Sequence, residues 1–416
     1  MKPNTKKILI FSLAYFPQHV GGAEIAVKEI TDRIAPGEVD FHMITLRFDS
    51  LLPKVEKIGN VLVHRIGFSS RDPSMSDLKK FPLFLNKYLF QFAAAAKALS
   101  LHRKYRYDIV WAMMAHSCGI PAGIFKFFHP EVKYVLTLQE GDPPAYIERL
   151  ARPAWPLFKR AFTTADTVQC ISTFLARWAK KMGFRGEPIV IPNAVDTERF
   201  SQQFSQEEMR AVKERLGKKE GDVFLITTSR LVHKNAVDDA IRSLRFLPEN
   251  IKFLVLGIGP DEAMLKDLAR REGVDERVKF LGQVSHDELP KYLNRQASDI
   301  FVRPSRSEGM GNSFLEAFAA GLPVIATQEG GIADFLFDPK RNPDKPPTGR
   351  AVDTDSPKQI ATAVRLFLEN PEETREIVKN AKNLAFEKYD WDMIAKDMRE
   401  KVFVPHTAHL AKIALA

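Results

Sequence analysis

The chain has 416 residues, more than one core of ordinary size holds, so two domains are expected. With 45% hydrophobic and 27% charged residues it is neither disordered nor low in complexity, and no stretch approaches the roughly 18–20 apolar residues of a membrane span. The net charge of +9 is concentrated in residues 1–200, where 28 Lys and Arg face 18 Asp and Glu, against 33 and 34 in residues 201–416.

Lys2, Lys6 and Lys7 precede an apolar run that ends at Phe16, a pattern shared with short signal peptides. Pro17, Gln18, His19, Gly21 and Gly22 follow without a small-residue cleavage site, so residues 8–13 are read as a buried first strand. A helix is expected over 23–34. Strand-like runs recur at 41–46, 61–66, 109–113, 134–138 and 167–171, with helical stretches between several of them. Short apolar strands alternating with helices predict a parallel sheet covered on both faces. The stretch 79–107 mixes Phe and Leu with Lys and Arg. It reads either as a buried helix with a solvated basic face or as a surface for anionic lipid. Cys118 and Cys170 stand apart and form no CxxC pair. That disfavours a disulfide framework and a cysteine metal site, and it fits a reducing compartment.

Residues 191–222 break the pattern. They open with Pro192 and Asn193, turn polar and carry a charged helix at 207–216, so they read as the connection between domains. The alternation then restarts, with strands at 223–228, 251–256, 278–281, 300–302 and 323–326. Val237, Ala240, Ile241 and Leu244 have helical spacing, and a further helix starts at Asp261. Ser285 and Glu288 fit a capping box that opens a helix. Residues 391–403 read as a terminal helix. The expected fold is α/β, with two tandem Rossmann-like domains facing a central cleft at the carboxyl ends of their strands.

Four places carry candidate chemistry. The run from Ser305 to Glu316 follows a strand, contains Gly309 and Gly311, and enters an apolar-periodic helix near Ser313. Glycines let the backbone approach a ligand, and a helix N-terminus offers free N–H groups, which together suit a phosphate. Ser313 and Glu316 also fit a capping box, which leaves Glu316 open between a cap and a ligand contact. Glu308 serves no helix end, and its carboxylate suits sugar hydroxyls. A retaining hydrolase pair would hold its carboxyls about 5–5.5 Å apart across one bond. Glu308 and Glu316 instead lie across a loop and the first helical turn, which fits different parts of one long ligand.

Arg230 and Lys234 leave the 223–228 strand at its carboxyl end. A forked guanidinium and a point charge suit a diphosphate; two surface cations are the alternative. Gly21 and Gly22, between first strand and first helix, suit an anion or a tight turn. His116 follows the 109–113 strand and is a candidate sugar contact and proton carrier, or a capping histidine. Gly257 and Gly259 match part of a dinucleotide fingerprint, but Glu262 takes the third glycine's place and Lys279 and Phe280 stand where the ribose-binding acid belongs. NAD binding is therefore rejected. The sequence shows no metal-ligand cluster, and without zinc-finger spacing, an RNP-type motif or a dense Arg/Lys tract it is not read as binding nucleic acid.

In combination these residues resemble the family 4 retaining glycosyltransferases of GT-B fold, over nearly the whole chain. The resemblance is carried by Arg230 with Lys234, the 256–260 turn, residues 280–282, residues 304–324, the 191–196 entry to the connection, and the glutamate pair Glu308 and Glu316. It implies an acceptor-side domain over 1–191, a nucleotide-sugar-binding domain over 192–389, and a segment 390–416 that packs back on the first. It also implies metal-independent transfer of a hexose-type sugar, with retention, from a nucleotide-diphosphate sugar to a glycan, lipid or other hydroxyl acceptor. The donor is a substrate, and no cofactor is implied. On the family pattern, Gly21 and Gly22 cradle the diphosphate, and Arg230 and Lys234 neutralise it as it leaves. Glu308 orients the sugar's hydroxyls, Gly309, Met310, Gly311, Asn312 and Ser313 lend backbone contacts, Glu316 holds the ribose, and His116 sits by sugar and acceptor. Ser229, Ala236 and residues 139–142 depart from that pattern, the last on the acceptor side. The rival reading is a non-catalytic GT-B protein that binds a nucleotide sugar or a protein partner. The expected location is the cytoplasm, with peripheral contact at the inner face of a membrane through the basic N-terminal domain.

Overall fold

The computed structural model describes residues 5–17, 21–74 and 77–404. Lys2, Gln18, His19 and the expected extension to residue 416 lie outside them. The chain divides into two compact units, Met1–Asn193 with Trp391–Ala416, and Ala194–Asp390.

The first unit holds strands β1 (Lys6–Phe11), β2 (Val39–Leu46), β3 (Val55–Ile58), β4 (Val61–Ile66), β5 (Ile109–Met113), β6 (Lys133–Leu138), β7 (Thr167–Cys170) and β8 (Ile189–Val190). They form one sheet in the order β3-β4-β2-β1-β5-β6-β7-β8. Every pairing is parallel except the β3–β4 hairpin. The central strands are apolar because both faces are covered: Ile8, Leu9, Ile10 and Phe11 have no exposed surface. Helix α1 (Gly22–Asp32) follows β1, helix α2 (Asn86–Tyr105) precedes β5, and helix α3 (Ile120–Phe128) precedes β6. Strands β2, β4 and β3 step outward from β1 on one side, and β6, β7 and β8 from β5 on the other. The switch point of the sheet therefore lies between β1 and β5, where α/β sheets bind ligands.

The chain returns to this unit at its end. Helix Trp391–Asp397 continues into a wider turn, Met398–Phe403. Phe403 meets the edge of Trp111 at 4.9 Å, and Lys133 donates to the Val402 carbonyl at 2.7 Å.

His64 on β4 is buried, and neither ring nitrogen has a hydrogen-bond partner. Burial, helped by His42, Lys97 and Lys104, pushes its pKa down to about 4. Burial lowers His42 as well, against the pull of Asp40. The unfolded chain thus takes up these protons first as pH falls. Stability is complete above the ordinary histidine value and is lost as pH falls from about 6.5 toward 4. Urea titrations at pH 7 and pH 5 should show the first unit weakening by at most about 1.4 kcal/mol per pH unit for each histidine, and His64→Leu should flatten that slope.

The second unit holds β9 (Val223–Thr228), β10 (Ile251–Leu256), β11 (Val278–Gly282), β12 (Ile300–Arg303), β13 (Val324–Ala326) and β14 (Arg350–Ala351). Their order is β11-β10-β9-β12-β13-β14, parallel throughout. Here the switch point lies between β9 and β12. Each unit is thus a Rossmann-like sheet, as the strand pattern predicts.

Two local expectations need correction. The 191–222 stretch is not a free connection: from Ala194 on it belongs to the second unit. Its helix Gln206–Leu216 buries Met209, Val212 and Leu216, and Lys218 pairs with Asp299 at 2.7 Å. Ser285 and Glu288 do not make a full capping box. The Glu288 amide does reach Ser285 Oγ at 3.3 Å, but the helix begins at Leu289 with Glu288 itself at the cap.

Candidate functional site

In the second unit the site is built where β9 and β12 end. After Thr228 the chain crosses the end of β10, close enough that backbone meets backbone. Ser229 donates its amide to Leu256, and Leu231 donates to Ile258, both at 3.0 Å. A Cβ on Gly257 would lie 1.9 Å from the Ser229 carbonyl oxygen, and one on Gly259 2.1 Å from that of Leu231. This is what the incomplete dinucleotide fingerprint does here: its glycines let the Arg230 loop lie against the next one. Arg230 is exposed and Lys234 half-buried. Asn235 Nδ2 holds the Arg230 carbonyl at 2.6 Å.

The loop after β12 is tied to that first loop. Arg306 donates its amide to the Lys234 carbonyl at 2.7 Å and its side chain to the His233 carbonyl at 2.8 Å. The Arg306 guanidinium also pairs with Asp238 at 2.9 Å, Asp239 at 3.1 Å and Asp355 at 2.7 Å. Burial works against the Asp238 carboxylate, but Arg306 and Arg242 outweigh it and hold Asp238 below its usual range. Burial, with the Asp238 charge beside it, pushes Asp239 up.

Glu308 is buried and bound on both oxygens. One accepts from Arg303 Nη2 and the other from the Gly309 amide at 3.2 Å. Arg303, which no sequence motif marks, belongs to the site as well. It ends β12 and is buried; it donates to Ser313 Oγ at 2.8 Å and to Asn235 Oδ1 at 3.0 Å, and its guanidinium lies over the Phe314 ring. Gly330, at φ +62°, passes so close that a Cβ would sit 2.0 Å from the Glu308 carbonyl oxygen.

Helix Asn312–Ala319 starts at Gly311, whose φ of +86° only glycine adopts readily. The capping box expected for Ser313 and Glu316 is therefore not formed. Ser313 lies inside the helix with its Oγ on Arg303, and Glu316 lies in the second turn. Glu316 Oε1 is 3.5 Å from His286 Nε2, a neighbour the sequence did not single out. Met310 is buried, and Gly309 and Asn312 complete the turn. Around the ends of β9 and β12, Thr228 Oγ1, Ser229 Oγ, Ser305 Oγ and Arg303 Nε are buried with no hydrogen-bond partner. Buried polar atoms are nearly always paired, so this cluster marks a place suited to a polar ligand. A helix N-terminus and two cations at the same switch point suit an anionic one.

The first unit gathers the remaining candidates at its own switch point. Gly21 caps α1, but its amide donates to Glu24 at 2.8 Å and so is already occupied. Burial raises the Glu24 carboxyl, against the hydrogen bonds from its own amide and that of Gly21. Gly22 opens the helix. His116 lies in the turn Ala115–Gly119 after β5, entered through Met114 at φ +64°. Its Nε2 is 3.0 Å from Ser117 Oγ, and its Nδ1 is 3.9 Å from Glu140 Oε1. Glu140 ends up buried beside it, accepting from the Ala115 amide at 2.6 Å.

The whole chain superposes on sucrose-phosphate synthase of Thermosynechococcus elongatus with a TM-score of 0.76 at 18% identity, covering 99% of this chain and 100% of that one. Anabaena HepE, solved in complex with UDP and glucose, gives 0.73 at 21% identity, covering 95% and 99%. Residues 20–199 match the family described as Glycosyltransferase Family 4, and residues 208–384 match Glycosyl transferases group 1. The chain belongs to the family 4 glycosyltransferases of GT-B fold.

Curated relatives of this glycosyltransferase include an uncharacterized glycosyltransferase of Methanocaldococcus jannaschii, 27% identical over 94% of this chain and 96% of its own. A GDP-mannose-dependent phosphatidylinositol monomannoside mannosyltransferase of Mycobacterium tuberculosis is 29% identical over 59% of this chain and 63% of its own. Among the described residues of this family 4 chain, His102, His129 and Glu131 are the one group spaced to hold a metal ion. They lie by the amino ends of β5 and β6, opposite the switch point. His102 Nδ1 already accepts from the Tyr107 amide at 3.1 Å, and His129 Nδ1 bonds Glu131 at 2.9 Å.

Proposed function

We propose that this glycosyltransferase moves a hexose-type sugar from a nucleotide-diphosphate sugar to a hydroxyl of a glycan or lipid acceptor, with retention and without a metal ion. The β9–β12 switch point carries the reading: Arg230 and Lys234 stand beside a helix N-terminus, with Glu308 and Glu316 on the same loop and helix. Arg230 and Lys234 neutralise the diphosphate as it leaves. Glu308, each of whose oxygens can accept a second hydrogen bond besides those from Arg303 and Gly309, accepts from the sugar hydroxyls. Residues 309–313 contribute backbone contacts, and Glu316 takes the ribose hydroxyls. In the first unit, Gly21 and Gly22 are assigned to the diphosphate and His116 to sugar and acceptor. With the Gly21 amide held by Glu24, Gly22 is the stronger donor of the two. Names of relatives support the substrate classes: HepE binds UDP-glucose, and a Streptococcus pneumoniae relative is an alpha-monoglucosyldiacylglycerol synthase. A cytoplasmic protein working at the inner membrane face fits a lipid acceptor. No helix among the described residues is long and apolar enough to cross a membrane.

A melting series with UDP-, GDP- and ADP-sugars tests this reading. A ligand at about 100 times its Kd should stabilise by roughly 2.7 kcal/mol, and one base should stand out. No shift with any nucleotide sugar, with or without added magnesium, would sink the donor assignment.

A further inference from the structure

The stretch leading into α2 presents an apolar row to solvent. Tyr88 and Phe92 stand one helical turn apart on the same face of α2, with Leu89 beside Tyr88; just before the helix, Phe81 and Phe84 are exposed too, their ring centres 6.4 Å apart. Phe81 is 79% exposed, Tyr88 59% and Phe92 61%. This face is not the one that joins the core: Phe90, Ala94, Ala98 and Leu101 on the opposite side of the helix are buried. Single exposed apolar residues are ordinary, but a continuous aromatic row is not.

Within the stretch that carries the row, from residue 78 to 107, the charge has one sign. Residues 78–107 contain seven Lys and Arg and not a single Asp or Glu. Lys79, Lys80 and Lys87 flank the aromatics and are exposed. Lys87 Nζ lies 4.8 Å from the Tyr88 ring centre, so cation and ring share one surface. Lys80 also reaches Asp77 at 2.8 Å, the last acid before the run. A second protein surface would have to bring both an apolar patch and an acidic rim. An anionic bilayer offers both everywhere: headgroup phosphates for the lysines and an interface where Tyr and Phe insert.

We propose that Phe81, Phe84, Tyr88, Leu89 and Phe92, with Lys79, Lys80 and Lys87, form a docking face for an anionic lipid bilayer. The aromatics enter the interface while the lysines remain at the phosphates. The proposal names the surface behind the membrane-side reading of the acceptor and rests on that reading only for its purpose, since its test needs no transfer reaction.

The test is flotation of the full chain with vesicles of phosphatidylcholine alone and of phosphatidylcholine mixed with phosphatidylglycerol. The protein should float with the mixed vesicles at low salt, remain below with the neutral ones, and be released as salt screens the lysines. The triple variant Y88Q/L89Q/F92Q and the triple variant K79E/K80E/K87E should each weaken flotation by about tenfold or more. Both should melt as the wild type does and keep the same shift with a nucleotide sugar, which separates a docking failure from a failure of the donor reading. Wild-type protein that does not float at low salt overturns the proposal. So does undiminished flotation of both variants, or a concentration-dependent dimer that Y88Q/L89Q/F92Q abolishes, which would assign the face to a second copy.

Discussion

Arg230→Ala and Lys234→Ala should each lower kcat/KM for sugar transfer by about 10²–10³, with most of the loss in kcat. The leaving diphosphate gains negative charge only as the glycosidic bond breaks. A cation fixed beside it therefore stabilises the transition state more than bound donor. Both residues sit on a loop whose course is set by backbone contacts: the Ser229 and Leu231 amides pair with Leu256 and Ile258, and Asn235 holds the Arg230 carbonyl. Removing the exposed Arg230 side chain leaves those contacts in place, so stability should change by no more than about 0.5 kcal/mol. Lys234→Arg keeps the charge and alters its shape, so it should fall between wild type and alanine. Steady-state kinetics with the donor found by melting would check this. A rise in donor KM at constant kcat would mean that the two cations bind donor and transition state equally, and the leaving-group role would have to go.

Much of this arrangement is legible in the sequence because inner parallel strands must be apolar on both faces. Strands β4, β5, β9 and β10 fall where their apolar runs do. The strands that escape are β3, β8 and β14, which lie at sheet edges or within hairpins and hold only two to four residues each. Too few positions are buried there to leave a pattern. Site residues in glycine-bearing loops at strand ends are legible for the same reason: the loop chemistry is local. What is not legible depends on distant partners. Arg303 follows three apolar residues and reads as a surface cation until Phe314, Ser313, Asn235 and Glu308 are seen to enclose it. Glu140 looks like one acid in a polar turn, and only the neighbouring strand brings the Ala115 amide and His116 to it. The Ser313–Glu316 spacing misleads because Gly311, with its positive φ, caps the helix first. Glu24 is the converse case. A glutamate three residues after Gly21 can turn back to accept from the cap amide, and here it does, so the amide that a glycine pair would offer an anion is taken within the turn.

Arg303→Met should cost the second unit about 3–5 kcal/mol, the usual penalty for leaving one partner of a buried ion pair without the other. Its guanidinium is the counter-charge of Glu308 and also spans Asn235 and Ser313, so three elements lose a common anchor: the turn after β9, the loop after β12 and the start of the 312–319 helix. Met fills the volume but pairs with nothing. Glu308→Gln alone removes the charge and keeps the shape, so it should cost less while reducing transfer severely, because a neutral amide is a weaker acceptor for sugar hydroxyls. The informative protein is R303M/E308Q. With no carboxylate left to strand, it should be more stable than R303M alone, with a coupling energy of about 0.5–3 kcal/mol against additivity. Urea midpoints of the three variants and the wild type measure that coupling. If the double variant is destabilised by the sum of the single effects, the pair is only two neighbours, and Glu308 does not owe its placement to Arg303.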